Sequence, residues 1–231
     1  MQVNNRTAVR LGWMAAVTYN SWPLAFLFNR MVLQHGLASD LEKFSQPFSW
    51  VFITGDIVTG ALLLVAAYGQ YSRASYKLLR LLIFSYGAFG IVIILAAITP
   101  IQCEQIASIC VERLASPAAL LHSSFSIMSI LLLSQAVVLC QILRRVTGSK
   151  VRQLWLLIIT AVAMPVFGIS GLVDIVDGNN HNELQFIFIT VTGLAIGLCV
   201  SSASQLSTKR PPTLTFRTLR RSLRAGRSFN P

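Results

Sequence analysis

A chain of 231 residues that is 54% hydrophobic and only 12% charged, with a mean hydropathy of +0.64, is too apolar for a soluble domain of this size. Its formal net charge of +11 would suggest nucleic acid in a soluble protein, but no nucleic-acid-binding signature accompanies it, and the basic residues sort by membrane side. Composition therefore excludes the soluble classes and nucleic-acid partners, and predicts an all-α polytopic membrane protein.

A hydrocarbon core about 30 Å thick takes about 20 apolar residues of helix. Six stretches qualify, at approximately 8–28, 48–68, 79–99, 118–141, 153–176 and 184–204. Lipid offers backbone groups no bonding partner, so each run is expected to be helical. Residues 1–206 then form a six-transmembrane-helix bundle, and 207–231 a basic tail.

Orientation follows from the connections. With the N-terminus cytoplasmic, all of the 19 basic residues except Arg30, Lys43 and Arg113 fall inside. Six of the 8 acids, Asp40, Glu42, Glu104, Glu112, Asp177 and Glu183, fall in outer loops, and Asp56 and Asp174 lie within spans. Both termini are expected to be cytoplasmic, in the inner (cytoplasmic) membrane.

In chain order, the first run is span-length and ends at no small-x-small cleavage site, so it is read as an uncleaved helix. Pro23 marks a kink in it, and Asn20 lies eight positions before its outer end. The first outer loop carries His35 and Asp40. The second run, FSWVFITGDIVTGALLLVAAYG, holds Asp56 eight positions past Phe48, about 12 Å into the bilayer at helical rise. A charge there costs at least about 2.5 kcal/mol unless shielded, so Asp56 should face the bundle and bond a partner. Asn20 is the first candidate partner and His122 the second. Asp56, Gly60 and Ala67 stack at helical intervals and could line an interior.

The third connection carries Cys103 and Cys110, where an oxidising compartment would permit a disulfide. A Cys103–Cys110 disulfide is the expected reading, with two unpaired small residues as the alternative, and their spacing is not C-x-x-C. Cys140 and Cys199 fall in or near membrane helices. Ser116-Pro117 reads as a cap and first-turn proline starting the fourth helix, which bears His122, Ser126 and Ser129 on one face. Asp174 ends the fifth run, interrupted by Pro165, and His181 follows it. Gly193, Gly197 and Ser201 form a small-x-x-x-small row for close packing of the sixth helix. In the tail, Phe216, Leu219 and Leu223 alternate with five arginines between Arg217 and Arg227. That segment is either an amphipathic helix on anionic inner-leaflet lipid or a disordered polybasic stretch.

Asn20, Asp56, His122, Ser126 and Asp174 all belong to the outer half of the membrane and are the candidate cavity. His35, Asp40 and His181 are outer-loop candidates for the same site. Each has a plainer role: Asp56 as a hydrogen-bonded acid joining helices, His122 as a satisfied helix-end histidine, Asp174 as a solvated helix end. Trp13, Trp50 and Trp155 read as interfacial anchors. H-x-x-x-H, H-E-x-x-H, G-x-S-x-G, P-loop and dinucleotide patterns are missing, as are the paired intramembrane histidines of a haem site. No metal, cofactor or catalytic residue is assigned.

The segment NRMVLQHGLASDLEKFSQPFSWVFITGDIVTGALLL combines Ser39-Asp40 with a Pro-aromatic helix start at Gln46, Pro47 and Phe48. With Pro100 ending the third helix and LHSSFSI at Leu121 to Ile127 opening the fourth, it resembles the bacterial family called domain of unknown function 998. That resemblance spans all six helices. It implies a six-span cytoplasmic-membrane protein of unassigned activity, distantly similar to the Frag, DRAM and Sfk group linked with lipid organisation. It supplies no catalytic residues, and the cysteine-bearing loop departs from it. Function is thus expected to be non-enzymatic binding or organisation of lipid or a small amphiphile through an outward-facing polar cavity. An outer-leaflet hydrolase, with or without metal, is the alternative, and a proton-coupled transporter using Asp56 the third.

Overall fold

The computed structural model describes residues 4–28, 41–42, 46–99, 103–106, 109–112, 117–146 and 182–207. The first element, α1 (Asn5–Tyr19), is started by the Asn4 side chain, which accepts from the Thr7 N–H at 2.8 Å. This Asn cap satisfies one of the free donors of the first turn. A single 3-10 turn, Trp22–Leu24, and a short α2, Ala25–Phe28, follow. Next come α3 (Ser49–Tyr71) and α4 (Lys77–Ile98), then a small antiparallel ribbon of β1 (Cys103–Ile106) and β2 (Ile109–Glu112), then α5 (Pro117–Val146) and α6 (Asn182–Ser207).

Four helical segments, Ser49–Tyr71, Lys77–Ile98, Leu120–Arg144 and Phe186–Ser207, are long and apolar enough to cross a membrane. At 22 to 25 residues each they extend about 33 to 38 Å. The first expected span is corrected: the run 8–28 is not one helix. Asn20 leaves helical geometry at φ −89 and ψ 42, and Pro23, which has no N–H to give a helix, sits in the 3-10 turn that follows. The fifth expected span, with Pro165 and Trp155, and the tail beyond Ser207 lie outside the described residues.

Helix directions follow from paired contacts. Thr18 meets Thr59 at 2.7 Å, and Arg73 donates to Asn5 at 3.4 Å, so α3 runs antiparallel to α1. Gly60 abuts Gly90, reversing α4 against α3. His122 reaches the end of α4, while Arg144 donates to Ser202 at 3.0 Å. Hence α5 and α6 run in the same direction as α3. One end of the bundle gathers Asn5, Arg73, Lys77 and Arg144; the other gathers Asn20, Phe48, Thr99 and Phe186.

Small residues set the closest approaches. A Cβ at Gly90 would stand 2.8 Å from the Gly60 carbonyl oxygen, and one at Gly87 would stand 2.9 Å from the Ala67 Cβ. Gly60 and Ala67 therefore lie in the close contact of α3 with α4. The row on α6 does what its spacing indicates: Gly193 packs on Asn20 and Ala16, and Gly197 lies under the Trp13 ring. Trp13 packs on Gly197 and still keeps an exposed edge, and Trp50 is exposed near the start of α3. A fully buried layer of Leu63, Leu79, Leu82, Tyr86, Leu133, Leu143 and Ile196 fills the centre.

Candidate functional site

The partner of Asp56 is Glu42. The two carboxyl groups are hydrogen-bonded to each other, in place of the expected Asn20 or His122. Two carboxylates cannot hydrogen-bond without a proton, so at least one of the pair is protonated where the bond forms. Glu42 lies outside the helices, beside Leu41, which is 2% exposed and packs with Ala25, Phe52 and Phe186 in an apolar cluster bordered by Trp22 and Ile189. Phe52 stands one helical turn before Asp56 on α3. Burying Leu41 on that cluster therefore brings the adjacent Glu42 down onto Asp56. Burial pushes the Glu42 carboxyl up to about 7, outweighing the opposing effect of the hydrogen bond to Asp56. Both acids keep partial exposure, and Tyr19, at the end of α1, lies near both carboxyl groups.

The break in α1 adjoins this pair. Asn20 donates from Nδ2 to the Ala16 carbonyl at 2.8 Å, and its Oδ1 is buried with no partner among the described residues. The Asn20 amide occupies the space over Gly193 that any larger residue would fill. Ser21 and the Thr18 carbonyl both lie against Gly55, the residue before Asp56. Trp22 donates from Nε1 to the Thr190 hydroxyl at 3.1 Å and stacks on Phe186 with ring centroids 4.8 Å apart. Asn20, Asp56 and Glu42 thus gather at one end of the bundle, beside a non-helical stretch of backbone and an aromatic cluster. Irregular backbone at such depth is tolerated where protein or a water-filled cavity surrounds it.

His122 and Ser126 do not join them. The buried His122 ring lies with Nδ1 3.2 Å from both the Ala96 and Thr99 carbonyls. As the N–H tautomer it caps the C-terminus of α4, donating toward the Thr99 carbonyl and toward that of Ala96, which also accepts from the Thr99 N–H at 3.1 Å. Ser126 bonds back to the His122 carbonyl at 3.0 Å and Ser129 to that of Ser126 at 2.7 Å. His35, Asp40, Asp174 and His181 lie outside the described residues. In the ribbon, Cys103 stands opposite Glu112 and Cys110 opposite Gln105, so the two cysteines sit two residues off a facing pair.

A second polar cluster, at the opposite end, was not foreseen as a unit. Cys140 of α5 lies beside Cys199 and Ser202 of α6 and one turn before Arg144 on its own helix. Gln70 bridges three helices, donating to the Val200 carbonyl at 3.3 Å and accepting from the Tyr86 hydroxyl at 2.9 Å. The only sequence sign of it was Gln70 standing in an otherwise apolar run.

The family model described as "Protein of unknown function (DUF998)" matches residues 14–198. The match covers most of the chain, which belongs to that family. No curated protein and no solved structure matches it.

Proposed function

We propose that this member of the family is a six-span protein of the cytoplasmic membrane, with both termini cytoplasmic, that binds a lipid or small amphiphile from the outer side without catalysing its conversion. The observation that carries the reading is the Glu42–Asp56 carboxyl pair, placed beside the unpartnered Asn20 Oδ1 and the Trp22–Phe186 cluster. A pair sharing one proton offers a single negative charge and several acceptor oxygens. It suits a head group carrying an ammonium or hydroxyl donors, while the aromatic cluster suits an apolar tail.

The test is organic extraction of the purified full chain followed by mass spectrometry. A co-purified amphiphile that is lost in Asp56→Asn and in Glu42→Gln supports the proposal. Equal recovery from both variants removes it. Stoichiometric zinc abolished by His122→Ala would instead favour the hydrolase, which otherwise rests on His35 and His181.

A proton-coupled carrier is the second reading, favoured by the shared proton and by the break in α1, since discontinuous helices are where transporters place coupling ions. Substrate-driven proton uptake into proteoliposomes, lost in Asp56→Asn, separates it from simple binding.

A further inference from the structure

A groove of about 740 Å³ runs along the outside of the α3–α4 pair, toward the basic end of the bundle and away from the carboxyl pair. Leu64, Phe84 and Ile91 give it hydrocarbon walls, Tyr68 flanks them, and Ser72 and Arg73 close the end where the chain turns between the two helices. Long apolar walls ending in a hydroxyl and a guanidinium have the polarity profile of one phospholipid chain with its phosphate.

The charge balance makes the occupant anionic. Arg73 is half-buried, and its described bond is a single long one, 3.4 Å to the neutral Asn5 amide. Lys77 and Arg80 follow at the start of α4, where Arg80 donates to the Ala74 carbonyl. The described acids, Glu42, Asp56, Glu104, Glu112 and Glu183, belong to the other end, so among the described residues no carboxylate neutralises this cluster. Arginine engages phosphate by paired N–H donors, and tyrosine rings settle at the depth of the head groups.

We propose that the α3–α4 groove is a binding site for an anionic phospholipid, with an acyl chain against Leu64, Phe84 and Ile91 and the phosphate on Arg73 and Ser72. The site is separate from the Glu42–Asp56 pair. It depends on the orientation proposed above only for naming the leaflet as inner.

The probe is phosphatidylglycerol with brominated chains, compared with brominated phosphatidylcholine in vesicles holding the full-length Tyr68→Trp variant. Emission gained over the wild-type chain is expected to be quenched preferentially by the anionic lipid. Adding Arg73→Gln should weaken that preference about fivefold, and Arg73→Lys should retain most of it. Equal quenching by the two lipids, or a preference unchanged by Arg73→Gln, overturns the proposal. Because Arg73 also touches Asn5, a second variant, Ala88→Phe, fills the groove and leaves that contact alone. Native mass spectrometry should show retained phosphatidylglycerol on the wild-type chain and its loss from Ala88→Phe, and undiminished retention by Ala88→Phe likewise rejects the site.

Discussion

Glu42, carried outside the helices, hydrogen-bonds the carboxyl group of Asp56 inside α3. A charge that the second helix could not leave facing lipid is thereby covered by a second acid and one proton, with Leu41 as the apolar anchor that holds the cover in place. The link ties the connection before α3 to the helix break at Asn20, so the proposed binding predicts that ligand occupancy and the seating of Leu41–Glu42 are coupled. Removal of the anchor by Leu41→Ala should expose Asp56 to water and weaken recovery of the amphiphile together with Glu42→Gln.

The same pair sets a pH dependence. The folded protein holds the Glu42 proton up to about 7, against an ordinary value of 4.5 for the unfolded chain. The native state therefore binds the extra proton between those values. Its stabilising contribution is complete below 4.5 and is lost as pH rises through about 7. Thermal unfolding in detergent should give a Tm that falls across this window in the wild type and a flatter profile in Glu42→Gln. An unchanged slope in that variant would dissociate the titration from Glu42.

Tyr86 and Tyr76 should respond oppositely to loss of their hydroxyls. Tyr86 donates to Gln70 at 2.9 Å in the fully buried centre, so Tyr86→Phe leaves Gln70 Oε1 short of a donor and should cost about 1 kcal/mol. The Tyr76 hydroxyl, at the start of α4, is buried with no protein partner, and burial alone raises its pKa. Tyr76→Phe should unfold no earlier than wild type. Paired Tm measurements under one condition decide both.

How much of this was legible differs residue by residue. The four long helices were plain because an apolar run of bilayer length has no soluble explanation, and Pro117 fixed the start of α5 because proline belongs in a first turn. The break in α1 was half legible: Pro23 marked a kink, but the departure at Asn20 depends on packing against Gly193 and Gly55, which a single sequence does not display. Glu42 was passed over because an acid in an outer connection is ordinarily solvated. The usable sign was Leu41, an apolar residue beside it. Cys140, Arg144, Cys199 and Ser202 looked unrelated because nothing in the chain states that α5 packs on α6 at that level.

His122 provides a discriminating mutant. Its ring serves the Ala96 and Thr99 carbonyls, and Ala96 also accepts from the Thr99 N–H, so His122→Ala should lower stability by about 1 to 3 kcal/mol through the Thr99 carbonyl that loses this donor. Amphiphile recovery should be kept at temperatures where the variant is folded. Loss of binding in a folded His122→Ala protein would move the site toward α5.

The orientation is tested by reporters. A fusion to the carboxyl end active only in the cytoplasm, and a cysteine placed in the ribbon between β1 and β2 that reacts with an impermeant maleimide from outside, are the expected results. An exported carboxyl-terminal reporter would invert the topology and transfer the Arg73 groove to the outer leaflet, without altering its chemistry.

The α3–α4 contact offers the sharpest packing prediction. A Cβ at Gly60 would collide with the Gly90 carbonyl oxygen and the Ile94 side chain, and a helix backbone cannot yield as a flexible side chain does. Gly60→Val should therefore force the helices apart and cost about 1 to 3 kcal/mol or more. Ala61→Val, the next residue and exposed, adds the same branched side chain toward lipid and should stay within about 0.5 kcal/mol of wild type. Comparing the two by denaturant titration in mixed micelles separates close packing from helix propensity, because both variants place valine in the same helix. Equal destabilisation would mean that α3 and α4 do not meet at Gly60 and Gly90.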